Sequence, residues 1–193
     1  PGDGGPRAGR PEATMETPPL VTLDDYSRMP DPDDGTIDDL VDGVLVYRPL
    51  GSALHGIVCC TVGCTLANYR ERTGTGRATL CCGLVMSRHP DTVMSADGCY
   101  WPDGVEVAEV CGWPTVRPAV AFEVADGWER YPDVMRRVRR LVGFGVPYVW
   151  LIDPVNETVT VYRGNTATVL TTTDTLVCDA LPGYSCPVAE LFE

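Results

Sequence analysis

Residues 133–153 read DVMRRVRRLVGFGVPYVWLID, and this stretch joins two elements of different period. Val134, Val138, Leu141 and Val142 recur at helical spacing, while Arg136, Arg137, Arg139 and Arg140 fill the rest of the turn, so a helix is expected from Asp133 to Phe144. Gly145 follows as its C-cap. Pro147 to Asp153 is then an almost unbroken apolar run, the pattern of a strand covered on both faces. A helix feeding into a doubly covered strand belongs to an α/β sheet with helices packed on it, not to a bundle or a sandwich.

Working outward, Ala119–Ala125 before this unit and the threonine-rich Thr158–Tyr162 after it have strand composition, and a short segment at Pro187–Phe192 closes the chain. Further upstream, Ala78–Ser87 and Asp103–Val110 are β-like runs separated by Gly, Pro and Asp. Leu54, Ile57, Val58, Val62, Leu66 and Tyr69 recur as a helix over about Ser52–Arg72. In DDLVDGVLVYR the Asp42-Gly43 pair sits between alternating apolar residues and predicts a hairpin ending near Tyr47. Thr22 with Asp25 forms a capping-box pattern for a short helix that Pro30 stops. Residues 1–19 are rich in Pro and Gly with no apolar period, and read as a disordered tail ahead of one domain over 20–193.

At 193 residues and 44% hydrophobic the chain has the size and composition of one globular domain. Its basic residues are all arginine, 15 against 27 Asp and Glu, giving a formal charge of −12. Any mechanism that needs a lysine is excluded. The charge also weighs against tight nonspecific binding of nucleic acid, which comes mainly from cationic neutralisation of phosphates, but not against an enzyme that meets nucleic acid through a bound metal. No window is long and apolar enough to span a membrane or form a signal sequence, so a cytoplasmic location is expected. The nine cysteines are odd in number and sit mostly in apolar runs, as buried reduced thiols would.

Two carboxylates stand inside apolar strand-like runs, Asp103 in WPDGVEV and Glu123 in VAFEVAD. On neighbouring strands they could share a hard divalent cation, Mg²⁺ or Mn²⁺. The plainer alternative is that Asp103 caps a turn after Pro102 and Glu123 pairs with an arginine. His55 with Cys59, and Cys60 with Cys64, have the helical offset of facing soft-metal ligands, but the paired knuckles of structural zinc sites are absent and core packing is the simpler account.

Taken in order, LVDGVLV, WPDGVEV, AFEV, the spacing Asp133-x-x-x-Arg137 before GFGVPYVWLIDP, then VTVYR and the closing LPGYSCPVAELF resemble the Uma family of "putative restriction endonucleases", within the PD-(D/E)XK nuclease superfamily. The resemblance covers residues 20–193 and implies a restriction-endonuclease-like fold, a mixed β-sheet flanked by helices with a metal site on the sheet. It implies an endonuclease that hydrolyses DNA with Mg²⁺ or Mn²⁺, in some members as a homodimer. Asp103 falls on the family's Pro-Asp aspartate and Glu123 on its Glu-Val glutamate, the two implied metal ligands. Asp39 takes the place of an acidic residue before the Asp42-Gly43 turn, His55 that of a histidine opening the next helix, and Asp133 that of a helix aspartate. The family's lysine becomes Arg137, which stays protonated and can only donate hydrogen bonds and charge. Ala125-Asp126 replaces a Ser-Pro, so Asp126 either adds a ligand or repels phosphate. These departures leave open an inactive or repurposed member, serving as a binding module or acting on a small molecule.

Overall fold

A computed structural model describes residues 19–33 and 36–193, apart from the side chain of Ile37; the expected N-terminal tail lies outside the described residues but for Pro19. The expected capping box is present at α1 (Leu23–Tyr26), where the Thr22 hydroxyl accepts from the Asp25 amide at 3.1 Å. The hairpin is β1 (Thr36–Val41) and β2 (Val44–Pro49), turned at Asp42-Gly43, both with positive φ. The long helix is α2 (Ala53–Thr73), capped by Ser52 and closed by Gly74 at φ 72°. β3 (Arg77–Ser87) pairs antiparallel with β4 (Thr92–Trp101).

A strand over Asp103–Val110 is not what the chain forms there. Pro102 withholds an amide, Gly104 takes φ 85°, and a four-residue helix, α3 (Val107–Val110), follows under a capping box from Glu106. The strand lies earlier, at β4. Gly98 lies mid-strand there, where a Cβ would meet the Phe122 ring at 2.3 Å.

The unit at residues 133–153 forms as expected. β5 (Val120–Val124) leads through α4 (Tyr131–Phe144) to β6 (Tyr148–Asp153), and β6 pairs parallel with β5, Phe122 opposite Trp150. Pro132 opens α4 and Gly145, φ 92°, closes it. β7 (Thr158–Arg163) and β8 (Thr166–Leu170) extend the sheet antiparallel, giving eight strands in the order β2-β1-β4-β5-β6-β7-β8 with β3 also on β4. A two-stranded ribbon, β9 (Thr175–Val177) and β10 (Ser185–Pro187), and a 3₁₀ turn at Val188–Leu191 complete it.

Alternation along β5 divides the core. Val120, Phe122 and Val124 pack with α2 and the C-terminal segment, and Ala121 packs with Val134, Val138 and Leu141 of α4. Glu123 therefore falls on the α4 face, fully buried. All nine cysteines are free; Cys59, Cys99, Cys178 and Cys186 are buried as expected, but Cys60, Cys64, Cys81 and Cys111 are exposed.

Candidate active site at a fork in the sheet

One edge of β4 is shared by two strands. β1 meets it at Val93, and β5 meets it from Gly98 to Tyr100. Where they diverge, backbone amides lose their ladder partners and must be satisfied otherwise. Carboxylates do this: Asp39 Oδ1 accepts from the Ser95 amide at 2.7 Å, and Asp97 Oδ2 accepts from the Val124 amide at 2.8 Å. The fork thus places Asp39 (β1), Asp97 (β4) and Glu123 (β5) together, each at most 4% exposed.

Arginines and a histidine compensate these charges. Arg137 Nε donates to Glu123 Oε2 at 2.8 Å and its Nη1 to Glu129 Oε1 at 2.6 Å. Arg48, with its side chain 10% exposed, stands between Asp39 (3.8 Å) and Asp97 (3.7 Å), and its buried Nε makes no hydrogen bond. His55 Nε2 lies 3.0 Å from Asp97 Oδ2. His55 is set by the start of α2, where Ser52 caps the His55 amide and is itself tied to Asp126 by its hydroxyl and amide.

Burial pushes the Glu123 carboxyl up to about 8, with Asp97 adding to the rise and Arg137 and Arg48 opposing it. Burial also raises Asp39, against Arg48 and the Ser95 amide. For Asp97 burial is outweighed by the His55 hydrogen bond and charge, the Val124 amide and Arg48, so its carboxyl is held below the usual range. The same hydrogen bond raises His55, overcoming its desolvation.

A cleft of about 300 Å³ opens over the fork. Arg48 and Arg137 line it together with Asp39, whereas Glu123 and Asp97, the acids these arginines pair with, do not. Five of the chain's fifteen arginines (48, 130, 136, 137 and 140) line this cleft, against three acids, in a protein whose formal charge is −12.

The sequence expectations divide here. Glu123, Asp39 and Arg137 come together, and Glu123 also makes the arginine pair offered as the plainer account. Asp103 does not join them: it is exposed in the turn after β4, two residues past the strand's end and six beyond Asp97. Asp97, Arg48 and Glu129 were not singled out in the sequence; a carboxylate inside the apolar run MSADGCYW was the available signal for Asp97. Asp126 holds the α2 cap, and Asp133 pairs with Arg136 on the surface. Among the described residues, the one set of three such groups with ligand atoms within 4.8 Å of one another is His55, Cys59 and Asp97.

The Asp97 and Glu123 carboxylates, as distinct from the set that includes the Cys59 thiol, suit a hard divalent cation, which takes oxygen ligands and needs only one or two protein carboxylates. Glu123 Oε1 is the clearest sign: it is buried, has no hydrogen-bond partner and lies beside a second buried carboxylate.

No curated protein matches the chain. A solved structure described as a "putative nuclease belonging to DUF820" from Anabaena variabilis superposes with a TM-score of 0.76 at 18% identity, covering 89% of this chain and 97% of that one; at this identity the likeness establishes the fold. Residues 23–189 match the model of the Uma2 family, described as "Putative restriction endonuclease", and the chain belongs to that family.

Proposed function

We propose that the cleft hydrolyses phosphodiester bonds of DNA in a divalent-metal-dependent reaction. The observation that carries this reading is the orphaned, buried Glu123 Oε1 beside Asp97, within reach of an arginine-lined cleft. Glu123 and Asp97 would hold Mg²⁺ or Mn²⁺, which when bound supplies charge to a phosphate oxygen and acidity to a water. Arg137 orients Glu123 and presents positive charge to the phosphorane-like transition state, as does Arg48. Because arginine keeps its proton, Arg137 cannot replace lysine as a base. Proton removal falls to Asp39, which lines the cleft and whose basicity burial raises. His55 and the Val124 amide keep Asp97 ionised and aimed.

A second reading has its own support. Since five arginines line the cleft while Glu123 and Asp97 do not, the same groups would bind a phosphate without cutting it. Cleavage of supercoiled plasmid in Mg²⁺ or Mn²⁺ separates the two. The expected result is cutting that EDTA, Asp97→Ala and Glu123→Ala each abolish and Asp103→Ala leaves intact. Folded wild-type protein that does not cut, or cutting that survives Glu123→Ala, overturns the hydrolytic reading.

A further inference from the structure

We infer that the cleft takes its nucleic acid as an unpaired strand, with a base stacked on Trp128. The inference rests on the phosphodiesterase reading and adds the substrate class. Trp128 is the most exposed large hydrophobic residue described, at 69%, and Tyr47 follows it at 57% among the cleft residues. Trp128 is shared with an adjoining depression formed by Pro49, Leu50, Gly51 and Ser52, so the two make one groove with an arginine-rich end and an apolar end. An indole left in water beside a guanidinium cluster matches a nucleotide, whose phosphate is anionic and whose base offers a flat apolar face.

Two further observations favour a strand over a duplex. Asp97 and Glu123 are at most 4% exposed and do not line the cleft, so a scissile phosphate must enter among the lining arginines to approach them. A flexible single strand can bend into an opening of about 300 Å³, whereas a B-form backbone is held rigid by its partner. Finally, the acidic surface away from the cleft would repel the long contact face of a duplex while the local arginines attract a short stretch of strand.

The test is binding, measured with the full chain in EDTA so that no cutting occurs. Fluorescein-labelled oligothymidylate of about twelve nucleotides, a duplex of the same length, and thymidine monophosphate are compared by anisotropy and by competition. The strand is expected to bind at least tenfold more tightly than either, and to quench tryptophan emission; Trp101 and Trp150 are fully buried and leave Trp128 and Trp113 as reporters. Trp128→Ala should weaken strand binding about tenfold and remove most of the quenching, and Trp128→Phe should keep binding within about threefold, since base stacking tolerates any aromatic ring. Equal or tighter binding of duplex, equal binding of the monophosphate, or unchanged strand affinity in Trp128→Ala would each overturn the inference. Strand binding through Trp128 without metal-dependent cutting would sink the hydrolytic reading alone, and duplex cutting indifferent to Trp128 would sink this inference alone.

Discussion

Replacing Glu123 by glutamine should make the protein more stable at neutral pH while abolishing cleavage. Burial lifts this carboxyl from 4.5 to about 8. Between those values the native state holds a proton that the unfolded chain releases, so the unfolded state binds fewer protons and stability falls as pH rises, by about 1.4 kcal/mol per pH unit. The loss is absent below the unfolded value and complete above the folded one. From 4.5 to pH 7 it accumulates to roughly 3 kcal/mol, a ceiling, because water entry and relaxation soften buried charges. Glutamine keeps the shape of the protonated acid, and Arg137 keeps Glu129 at 2.6 Å. Glu123→Gln is therefore expected to gain about 1–3 kcal/mol at pH 7, a rise of roughly 3–10 °C in Tm. Thermal and urea unfolding in EDTA from about pH 5 to about pH 8.5 measures this. A variant that melts at or below wild type near pH 8, or a gap that does not widen with pH, would refute the claim that Glu123 is strained by its burial.

Two other substitutions probe the partners of these acids. Arg137→Ala strips Glu123 and Glu129 of their donor and should cost about 2 kcal/mol or more in urea unfolding. Arg137→Lys should recover much of that stability and retain cutting, although one ammonium cannot reproduce both contacts. His55 has a raised pKa through Asp97, so its contribution is fully present below about 6.5 and is lost as pH rises through the folded value. The stability gap between wild type and His55→Asn should be larger near pH 6 than near pH 9 in urea titrations, and a constant gap would remove the Asp97 pairing as its cause.

What could be read from sequence depended on whether a local pattern had a rival. The run from Asp133 to Asp153 had none: a helical period, a glycine stop and an apolar run agree, and α4 and β6 follow. β4 had one, because Asp-Gly in a strand looks like a turn until Phe122 is known to lie over Gly98. Asp103 stands out in sequence for its carboxylate in WPDGVEV and its Pro-Asp, and it sits in the turn after β4. Arg48 and Glu129 were beyond local reading, since each acquires its role only when β2 and the segment before α4 meet across the fork. That Glu123 would pair with an arginine was legible from a lone carboxylate in an apolar strand; that the partner is Arg137 is seen only once α4 packs on β5.

The charge count at the fork explains why one site can invite both readings of its chemistry. Asp39, Asp97, Glu123 and Glu129 are set against the guanidiniums of Arg48 and Arg137, so full ionisation would leave two negative charges with His55 neutral. A largely buried site does not tolerate that excess. In the metal-free chain the shifts run toward bound protons: burial raises Glu123 and Asp39, and the Asp97 hydrogen bond raises His55. A divalent cation would cancel the same two charges without any proton, and would give Glu123 Oε1 the partner it lacks. Arg137, a permanently charged fork spanning Glu123 and Glu129, together with Arg48 fixes half of the compensation, leaving the remaining half to be supplied by protons or by metal.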